Sequence, residues 1–484
     1  MKSVAFHNLG CKVNSYELDV MQQILQEKGY QIVPFDQIAD IYIINTCTVT
    51  NIADRKSRQM LHRAKQKNPQ AVVVAVGCYV QTDMEGVEKD DSIDLAIGNN
   101  RKGDLAQILE EFLAERGKIQ TAGDECGKNR TKGVRADELL PVKASSDKTL
   151  GGFTVLDLSV PCDFEAMTLK QTAEHTRAYI KIQDGCNQFC SYCIIPYARG
   201  RVRSRREEDI LTEVRGLAER GFREIVLTGI HISSYGIDLD KGTSRQGESR
   251  LVDLVERIHD QADGIERIRL GSLEPRIITR ETVERLAALP KLCPHFHLSL
   301  QSGCDETLKR MNRHYTTGEY LQGVERLRQA FAHPAITTDV IVGFPGETEE
   351  EFAQTKEFLE RVGFYEMHIF KYSRRRGTRA DEMPGQLTDR EKAARSDVLL
   401  ALERRQSKAF RGDYIGGQAE VLWEDKREVE GSLYWVGHTK DYVKVAVLAG
   451  EEKLSNIITQ VQVQGFLTDE ILMGMYGDCL ESTS

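Results

Sequence analysis

Short apolar runs alternate with amphipathic segments along the first 116 residues. Apolar runs of strand length between segments of helical periodicity predict a parallel sheet with crossover helices. Glu17, three residues into the first predicted helix, fits a capping signal at that helix's polar start. Residues 1–116 are therefore expected to form an N-terminal parallel α/β domain. Its predicted strands are Ser3–Leu9, Asp40–Asn45 and Ala71–Gly77, and its predicted helices are Asn14–Lys28, Ala53–Asn68 and Gly103–Arg116.

The same alternation resumes at Arg177 and continues for about 200 residues, which is fewer than the ~250 residues of a complete eight-stranded β/α barrel. We therefore predict an open, partial (β/α)6 barrel in a central domain over 174–405. The predicted strands are Ala178–Gln183, Glu224–Gly229, Arg267–Ser272, His295–Leu300, Thr338–Gly343 and Glu366–Tyr372. The predicted helices are Glu207–Arg220, Leu251–Asp263, Thr279–Ala288, Thr317–Ala332 and Glu349–Val362.

Two further segments have a different character. Residues 117–173 are rich in small and polar residues, and only Phe153–Val160 resembles a strand, so this segment is predicted to be a long linker or insertion with partial disorder. After a helix at Asp389–Lys408, glycine-punctuated strands predict a small all-β barrel over 406–475. Its predicted strands are Gln418–Trp423, Tyr434–His438, Tyr442–Val447 and Ile457–Phe466.

The composition is that of a globular protein in the α/β class. The chain has 484 residues, 40% of them hydrophobic and 29% charged, and a net charge of −9, which argues against coating nucleic acid by bulk charge but allows local basic patches. The longest apolar stretch, Ala71–Val80, is shorter than the ~18 residues that a membrane helix needs. We expect a cytoplasmic protein without a membrane partner, whose 11 cysteines stay reduced and serve metal or redox chemistry.

The strongest chemical signal is the C-x3-C-x2-C run of Cys186, Cys190 and Cys193. This spacing also places three cysteines on one face of a helix, where they would be small core residues. A preceding strand and Asp184-Gly185, with Pro196 soon after, favour a loop at a strand's carboxyl end, where β/α barrels carry their active sites. Three thiolates would leave one iron of a four-iron cluster open to a small chelating molecule.

A second trio, Cys11, Cys47 and Cys78, is dispersed, and each member follows one of the first three predicted strands. Each alone is more typical of a buried apolar residue than of a ligand. Neighbouring parallel strands lie about 5 Å apart, so the three thiols could converge within roughly 10 Å, the size of a metal cluster. Both interpretations stay open from the pattern alone. The remaining cysteines have no such arrangement: Cys126, Cys162, Cys293, Cys304 and Cys479.

Together these motifs resemble the radical S-adenosylmethionine (SAM) methylthiotransferases over nearly the whole chain. The cysteine loop is typical of the superfamily, and the contexts NLGCKVNSYE, NTCTVT and VGCYVQ are typical of the methylthiotransferases. The stretch KIQDGCNQFCSYCIIPYARGRVRSR is most similar to the branch that acts on N6-threonylcarbamoyladenosine at tRNA position 37. The resemblance also implies that the C-terminal barrel is a TRAM-like RNA-binding domain. Residues 117–173 exceed the family's usual linker and have no functional assignment.

The resemblance implies a radical mechanism with two [4Fe–4S] clusters. The loop trio would hold the cluster that binds and cleaves SAM, and the dispersed trio would hold an auxiliary cluster that carries the sulfur. The C2–H of adenine is neither acidic nor activated, so a cofactor-derived radical suits its removal better than acid–base groups. Two SAM molecules per turnover, a flavodoxin- or ferredoxin-type one-electron donor and a sulfur source are also implied.

The resemblance places SAM at the strand ends of the central domain. Each of the residues concerned, taken singly, is about as commonly an ordinary strand-end or turn residue as a cofactor contact. Tyr192 resembles the aromatic residue beside the cofactor's adenine, and Thr228-Gly229 stands where the superfamily binds the methionine amino group. Further candidates are Ser272, Glu274, Ser299, Gln301, Arg313, Val340, Gly343 and Phe344.

Basic residues cluster in two places beside the predicted mouth of the barrel, although a run of charge is usually just a solvated surface. Such patches, with aromatic residues among them, suit phosphate contacts and stacking on splayed RNA. The first is Arg199, Arg201, Arg203, Arg205 and Arg206, and the second is Lys371, Arg374, Arg375, Arg376 and Arg379 with Phe370 and Tyr372. From Ser407 onward the chain has seven Lys and Arg but thirteen Asp and Glu, so RNA contact there needs a local basic surface. Its candidates are Trp423, Lys426, Arg427, Trp435, His438, Lys440 and Tyr442.

Three alternatives remain. An enzyme that methylthiolates an aspartate of a ribosomal protein, or another adenosine derivative at tRNA position 37, would share both cysteine trios. A zinc-stabilised RNA-binding protein without catalysis would need a fourth ligand at each trio. No histidine stands at the expected short spacing from either trio.

Overall fold

The computed structural model describes residues 2–124, 148–150, 152–170, 176–239 and 249–476. Three units follow one another along the chain: a parallel sheet, an open β/α barrel and a small closed β-barrel. This confirms the α/β fold class and the predicted order of architectures. Among the described residues, no helix combines the length and apolar character that crossing a bilayer requires.

The N-terminal unit is a sheet in the order β2-β1-β3-β4-β5-β7-β6. Neighbours from β2 to β7 pair in parallel, and β6 is antiparallel to β7. The strands are β1 (Ser3–Asn8), β2 (Gln31–Val33), β3 (Ile41–Thr46), β4 (Val72–Gly77), β5 (Leu95–Ile97), β6 (Lys148–Leu150) and β7 (Phe153–Val155). The helices are α1 (Lys12–Glu27), α2 (Asn51–Lys67), α3 (Cys78–Thr82), α4 (Met84–Glu88) and α5 (Leu105–Asp124).

The predicted linker over 117–173 differs from the structure where it is described. β7 pairs with β5 and extends the N-terminal sheet, with β6 at its outer edge. Met167 and Leu169 are buried against α1 and the sheet. These residues belong to the N-terminal core because apolar side chains within a polar segment still bury when a sheet edge is available. The expected disorder concerns residues such as 125–147, which lie outside the described part.

The central unit has six parallel strands in sequential order, and the short β9 is antiparallel to the first of them. The strands are β8 (Arg177–Asp184), β9 (Arg203–Ser204), β10 (Glu224–Gly229), β11 (Arg267–Leu270), β12 (His295–His297), β13 (Ala335–Val342) and β14 (Glu366–Lys371). Parallel bridges Ile268–Leu292 and Leu273–Leu298 connect the β11 and β12 segments. The helices are α6 (Ile195–Arg199), α7 (Glu207–Glu219), α8 (Arg250–Gln261), α9 (Arg280–Ala287), α10 (Asp305–Arg310), α11 (Thr317–Ala330), α12 (Glu349–Val362) and α13 (Asp389–Gly412).

Alternation along these strands separates two faces. Ile180, Leu227 and Val340 pack among the helices in one apolar core, so their neighbours in sequence face the interior of the barrel. Those interior positions are largely polar, and they include Lys181, Thr228 and Asp339. A polar interior is what a barrel needs if it is to hold a substrate rather than a packed core.

The C-terminal unit is a closed barrel in the order β15-β16-β17-β19-β18. Its strands are β15 (Gln418–Val429), β16 (Ser432–Thr439), β17 (Lys444–Leu448), β18 (Ile458–Phe466) and β19 (Leu472–Met475). It docks on the starting ends of the central strands. There Arg267 donates to the His438 carbonyl at 2.9 Å and Arg269 donates to the Lys440 carbonyl at 2.7 Å. Tyr442 lies under both Arg177 and Arg269. The C-terminal barrel therefore closes the end of the central barrel opposite the cysteine loop.

Candidate iron–sulfur and cofactor sites

The cysteine trio of the central domain lies on a loop at the carboxyl end of β8, as predicted. Residues 185–190 have no helical structure, so the interpretation as three core residues on one helix face is wrong. Gly185 adopts φ +71°, and a Cβ there would lie 1.9 Å from the Arg201 carbonyl oxygen. Only glycine fits this turn, because it has no Cβ and tolerates positive φ.

The three thiols form a set suited to iron. Cys186 is buried, whereas Cys190 and Cys193 are partly exposed. Burial raises the pKa of the Cys186 thiol to about 11 and that of Cys193 to about 12. Arg313 donates from Nη1 to the Cys190 Sγ at 3.3 Å. Thiols of this kind become thiolates when a metal ion compensates their charge, so the donor set fits a cluster with three protein ligands.

The segment after α10 holds this loop in place. Ser191 donates from its backbone to the Met311 carbonyl at 3.0 Å and from Oγ to the Arg310 carbonyl at 2.9 Å. The Asn312 amide donates to the carbonyls of Gln188 and Phe189. Backbone groups that would otherwise be unpaired are thus satisfied, and the loop conformation is fixed before any cofactor binds.

Several predicted SAM-binding residues gather beside this loop. Tyr192 packs edge-on against Phe344 with ring centroids 6.4 Å apart. Arg313 reaches the Ser299 carbonyl at 3.2 Å, and Gln301 adopts φ +74° where it bridges to Val340. A strained non-glycine residue of this kind is typical of functional sites.

The remaining candidates are placed as follows. Thr228 and Gly229 end β10, and a Cβ on Gly229 would lie 2.9 Å from the Gln183 carbonyl oxygen. Glu274 accepts from Arg276 at 2.8 Å, and Ser272 is exposed. Gly343 donates to Glu347 at 2.7 Å.

Two candidates are not available to a cofactor through their side chains. The Val340 side chain packs among the helices, on the face opposite the barrel interior, so Val340 can contact a cofactor only through its backbone. Phe344 is fully buried between Met311, Tyr372 and Ala380, so it supports Tyr192 from behind.

The second trio lies at the ends of three adjacent strands. Cys11 follows β1 and caps α1, Cys47 follows β3, and Cys78 follows β4 as the first residue of α3. The register pairs Asn8 with Asn45 and Thr46 with Gly77, so the three ends are level. Burial, then the neighbouring Cys78 and Cys11, raises the pKa of Cys47 to about 11. The register and the influence of Cys78 and Cys11 on Cys47 place the three thiols at one sheet edge, where a second ligand set fits.

A buried network of charges connects the elements that carry the two trios. Glu17 accepts from Lys102 at 2.5 Å, Lys181 at 2.7 Å and Arg199 at 2.8 Å. Arg199 also donates to Asn14 at 2.7 Å and to Asp184 at 3.3 Å. Every one of these side chains is at most 2% exposed. The network ties α1 of the N-terminal domain to the strand and helix that flank the cysteine loop.

Asn99 adds a direct link between the two sites. Its amide donates to the Cys78 Sγ at 3.4 Å and to the Ala198 carbonyl at 2.7 Å. Burial lowers the pKa of Arg199, but Cys78, Glu17 and Asp184 outweigh this effect and hold it well above the usual value. Cys78 therefore faces α6, the helix that follows Cys186, Cys190 and Cys193.

Sequence reasoning missed this network. Glu17 fits a capping signal in the sequence, yet the residue that caps α1 is Cys11, and Glu17 lies one turn deeper. Lys102 and Lys181 carry no signal beyond their charge, and Asp184 contributes only to the loop predicted at the end of its strand. Lys181 stands between two isoleucines on a predicted strand, and a charge flanked in this way by apolar residues is the pattern that could have found the network.

The prediction of RNA binding is wrong for four arginines, because they are buried in ion pairs. Arg199 belongs to the network, Arg203 contacts the Arg199 carbonyl and Asp184, and Arg205 pairs with Glu213. Arg375 pairs with Asp54 at 2.5 Å and donates to the Thr48 hydroxyl at 2.6 Å, beside Cys47. These residues connect domains or elements, so their guanidinium groups cannot reach RNA phosphates.

The other basic candidates remain at the surface. Arg201, Arg206, Lys371, Arg374, Arg376 and Arg379 are exposed, as are Lys426 and Arg427 of the C-terminal barrel. Arg374 pairs with Asp381 and Arg427 with Asp425, whereas Lys440 is half-buried. Trp423, Trp435 and His438 are buried, so they do not form the aromatic surface predicted for the barrel.

Comparison with known proteins identifies the family. Residues 180–359 match the Radical SAM superfamily, and residues 3–98 match Uncharacterized protein family UPF0004. Threonylcarbamoyladenosine tRNA methylthiotransferase MtaB of Bacillus subtilis is 37% identical over 95% of this chain and 93% of its own length. The chain belongs to the radical SAM methylthiotransferase family. It is an enzyme that uses SAM and a [4Fe–4S] cluster.

Other relatives carry two different names. The MtaB protein of Aquifex aeolicus is 40% identical over 87% of this chain and 92% of its own length. The tRNA-2-methylthio-N(6)-dimethylallyladenosine synthase of Desulfitobacterium hafniense is 32% identical over 99% and 97%. Among solved structures, the radical SAM methyltransferase TsrM of Kitasatospora setae matches with a TM-score of 0.53 and 16% identity. That match covers 78% of this chain and 77% of TsrM and supports the fold alone.

Proposed function

We propose that this enzyme methylthiolates C2 of N6-threonylcarbamoyladenosine at position 37 of tRNA, giving 2-methylthio-N6-threonylcarbamoyladenosine. One observation carries the proposal. Two cysteine trios from different domains adjoin the same helix α6, where Asn99 contacts both Cys78 and the Ala198 carbonyl and Arg199 pairs with Glu17. A methylthiotransferase needs one site for radical formation and another for sulfur delivery at the same substrate carbon. The names of the relatives at 37% and 40% identity support the substrate.

The protein residues have separable tasks in this proposal. Cys186, Cys190 and Cys193 hold the cluster that binds SAM, and Cys11, Cys47 and Cys78 hold a second [4Fe–4S] cluster. When bound, these groups supply the radical chemistry that acids and bases cannot provide at an unactivated C2–H. Arg313 lies against Cys190 and Ser299, so it positions the loop relative to the β12 end. The Glu17 network fixes the distance between the two cysteine sites.

Exposed basic residues around the barrel mouth are the proposed RNA surface. Arg201 stacks over Phe189 at 4.6 Å, and Phe189 packs against the exposed Tyr197. Lys371, Arg374, Arg376 and Arg379 lie beside the half-exposed Phe370. Cations interleaved with aromatic faces suit phosphate contacts and the stacking of unpaired anticodon-loop bases. Lys426 and Arg427 are a separate exposed basic site for RNA on the C-terminal barrel.

The proposed reaction also needs SAM, an electron donor and a source of sulfur. Two SAM molecules are used per turnover, a flavodoxin- or ferredoxin-type donor supplies electrons, and a separate source supplies sulfur. The expected compartment is the cytoplasm, where tRNA is modified.

The test is nucleoside mass spectrometry of tRNA after reaction with the iron-reconstituted enzyme, SAM, a reductant and sulfide as the sulfur source. Transfer RNAs that carry N6-threonylcarbamoyladenosine should gain the methylthio group. Those that carry N6-dimethylallyladenosine, the base named for the 32% identical relative, serve as the comparison. Methylthiolation of the dimethylallyl base alone would replace the proposed substrate. Reaction with neither RNA would redirect the assay to ribosomal-protein aspartate.

A further inference from the structure

A cluster of three polar side chains lies inside the central barrel, apart from both cysteine sites. His297, Asp339 and His368 present ligand-capable atoms that all lie within 4.8 Å of one another. They stand on the adjacent strands β12, β13 and β14. The register pairs His297 with Thr337 and Asp339 with His368, which puts all of them on the same face.

This face is the barrel interior. The neighbours of these residues in sequence, Phe296, Leu298 and Val340, pack on the opposite face among the helices. Asp339 retains 30% of its side-chain exposure, His297 retains 13%, and His368 is exposed. The cluster is therefore polar, internal and open to an incoming molecule.

Internal contacts orient the cluster but leave part of it unsatisfied. His297 contacts the Thr337 hydroxyl through Nδ1 at 3.0 Å and faces an Asp339 oxygen through Nε2 at 3.4 Å. Among the described residues Nε2 has no hydrogen-bond partner. The two imidazole rings are nearly parallel, at 25°, with centroids 5.9 Å apart. A buried polar atom without a partner costs stability unless a ligand satisfies it.

The cluster lies deeper in the barrel than the contacts beside the cysteine loop. Ser299 follows His297 by two residues, about 7 Å along a strand, and its carbonyl accepts from the Arg313 side chain that touches Cys190. In the other direction, the His295 ring lies 5.1 Å from Tyr442 of the C-terminal barrel. The three residues thus stand between the radical site and the closed end of the barrel. A base whose C2 faces the cofactor would place its substituents near them.

We propose that His297, Asp339 and His368 bind the N6 substituent of the substrate adenosine and select threonylcarbamoyl over dimethylallyl. This inference rests on the proposed function. The threonylcarbamoyl group carries a carboxylate, a hydroxyl and urea N–H groups, whereas dimethylallyl has no polar atom. Imidazole N–H groups suit the carboxylate, and Asp339 suits the hydroxyl or a urea N–H. A site built to bind such groups rejects an analogue that lacks them, because its own polar atoms are then left unpaired.

The test compares two anticodon stem-loop RNAs that differ only in this substituent. With wild-type enzyme, kcat/KM for the threonylcarbamoyl RNA should exceed that for the dimethylallyl RNA by about 100-fold or more. Asp339→Asn and His368→Leu should each reduce this ratio at least tenfold, chiefly by raising KM for the threonylcarbamoyl RNA. His62→Leu, at a histidine 53% exposed on α2, is the matched control and should leave the ratio unchanged.

The outcomes separate this inference from the proposed function. Wild-type enzyme that acts on the dimethylallyl RNA alone, or on neither RNA, contradicts the proposed function. Wild-type enzyme with the expected preference, together with unchanged ratios in both variants, contradicts the inference alone. So does a metal ion beyond the cluster iron that Asp339→Asn removes, since the cluster would then be a cation site. If one variant fails to fold, the ratio measured for the other variant tests the inference. Competition by the free nucleoside N6-threonylcarbamoyladenosine against wild-type enzyme provides an independent measure of binding to the N6 substituent.

Discussion

Arg199 and Glu17 meet across the boundary between two domains, with Nη1 of the arginine 2.8 Å from Oε1 of the glutamate and both side chains 1% exposed. Arg199 stands six residues after Cys193, and Glu17 stands six residues after Cys11. The ion pair thus connects the chain that follows one cysteine site to the chain that follows the other. Three cations share Glu17, so its carboxylate is the centre of the connection.

Removing the charge of Glu17 should destabilise the protein substantially. Glu17→Gln leaves Lys102, Lys181 and Arg199 buried with less compensation, and breaking a buried ion pair on one side costs about 3–5 kcal/mol. Denaturant unfolding of the iron-loaded protein measures the loss. Glu85→Gln breaks an exposed pair with Lys89 and serves as the control, for which no measurable change is expected. Equal stability of the two variants would contradict the network's role.

The contribution of Glu17 should depend on pH in a defined direction. Burial raises its pKa, but Arg199, Lys102 and Lys181 outweigh this and hold it well below the usual value. A depressed carboxyl pKa gives stability that is present above the unfolded-state value of about 4.3 and is lost as pH falls towards the folded value. The difference in unfolding free energy between wild type and Glu17→Gln should therefore be constant from about pH 6 to 8 and shrink below about pH 4. If the difference in unfolding free energy instead grew as the pH fell, the pKa of Glu17 would be raised rather than lowered.

The two cysteine trios should separate by function. Replacing Cys186, Cys190 or Cys193 by Ala should abolish SAM cleavage and remove about four irons of about eight. Replacing Cys11, Cys47 or Cys78 should remove a similar amount of iron and stop methylthiolation, with SAM cleavage still measurable. Cys162→Ala, a partly exposed cysteine outside both trios, is the control and should keep all the iron. Equal loss of SAM cleavage in both sets, in folded protein, would refute the division of roles.

Two adjacent arginines should behave in opposite ways. Arg376 is exposed at the barrel mouth, so Arg376→Ala should weaken tRNA binding and lower the slope of log affinity against log salt by about one. Arg375 is buried against Asp54 and Thr48, so Arg375→Ala should lower the unfolding temperature and leave that slope unchanged. Filter binding at several salt concentrations, with thermal unfolding in parallel, distinguishes them. A salt-slope change in Arg375→Ala would contradict its structural assignment.

The central barrel could be predicted closely because each strand carries its own signal. β10 and α12 have the predicted bounds, and the other five central strands deviate by at most three residues at either end. The three-residue strands β2, β5 and β6 were missed, since so short a run has no periodicity of its own and forms only when a neighbouring edge pairs with it. Both cysteine trios lie where the strand order predicted them, because parallel strands end at a common edge.

The arginines show what sequence alone could not provide. Arg199, Arg203 and Arg205 share a basic run with Arg201 and Arg206, yet only the last two reach solvent. Burial of a cation depends on a carboxylate from a distant part of the chain, as Glu17 does for Arg199 across 182 residues. His297, Asp339 and His368 were missed for a related reason, because three single polar residues on separate strands form a site only after the strands pair.

The shared carboxylate of Glu17 limits how far this protein can be divided. A central domain expressed without the first 116 residues would lose Glu17 and Lys102, and Asp184 would then be the carboxylate shared by Lys181, Arg199 and Arg203. Charges arranged for a dry interface would then open to water on the face that carries the cysteine loop. Exchange of N-terminal domains between related enzymes should therefore succeed only between chains that preserve this set of charges, which makes the interface a barrier to modular recombination.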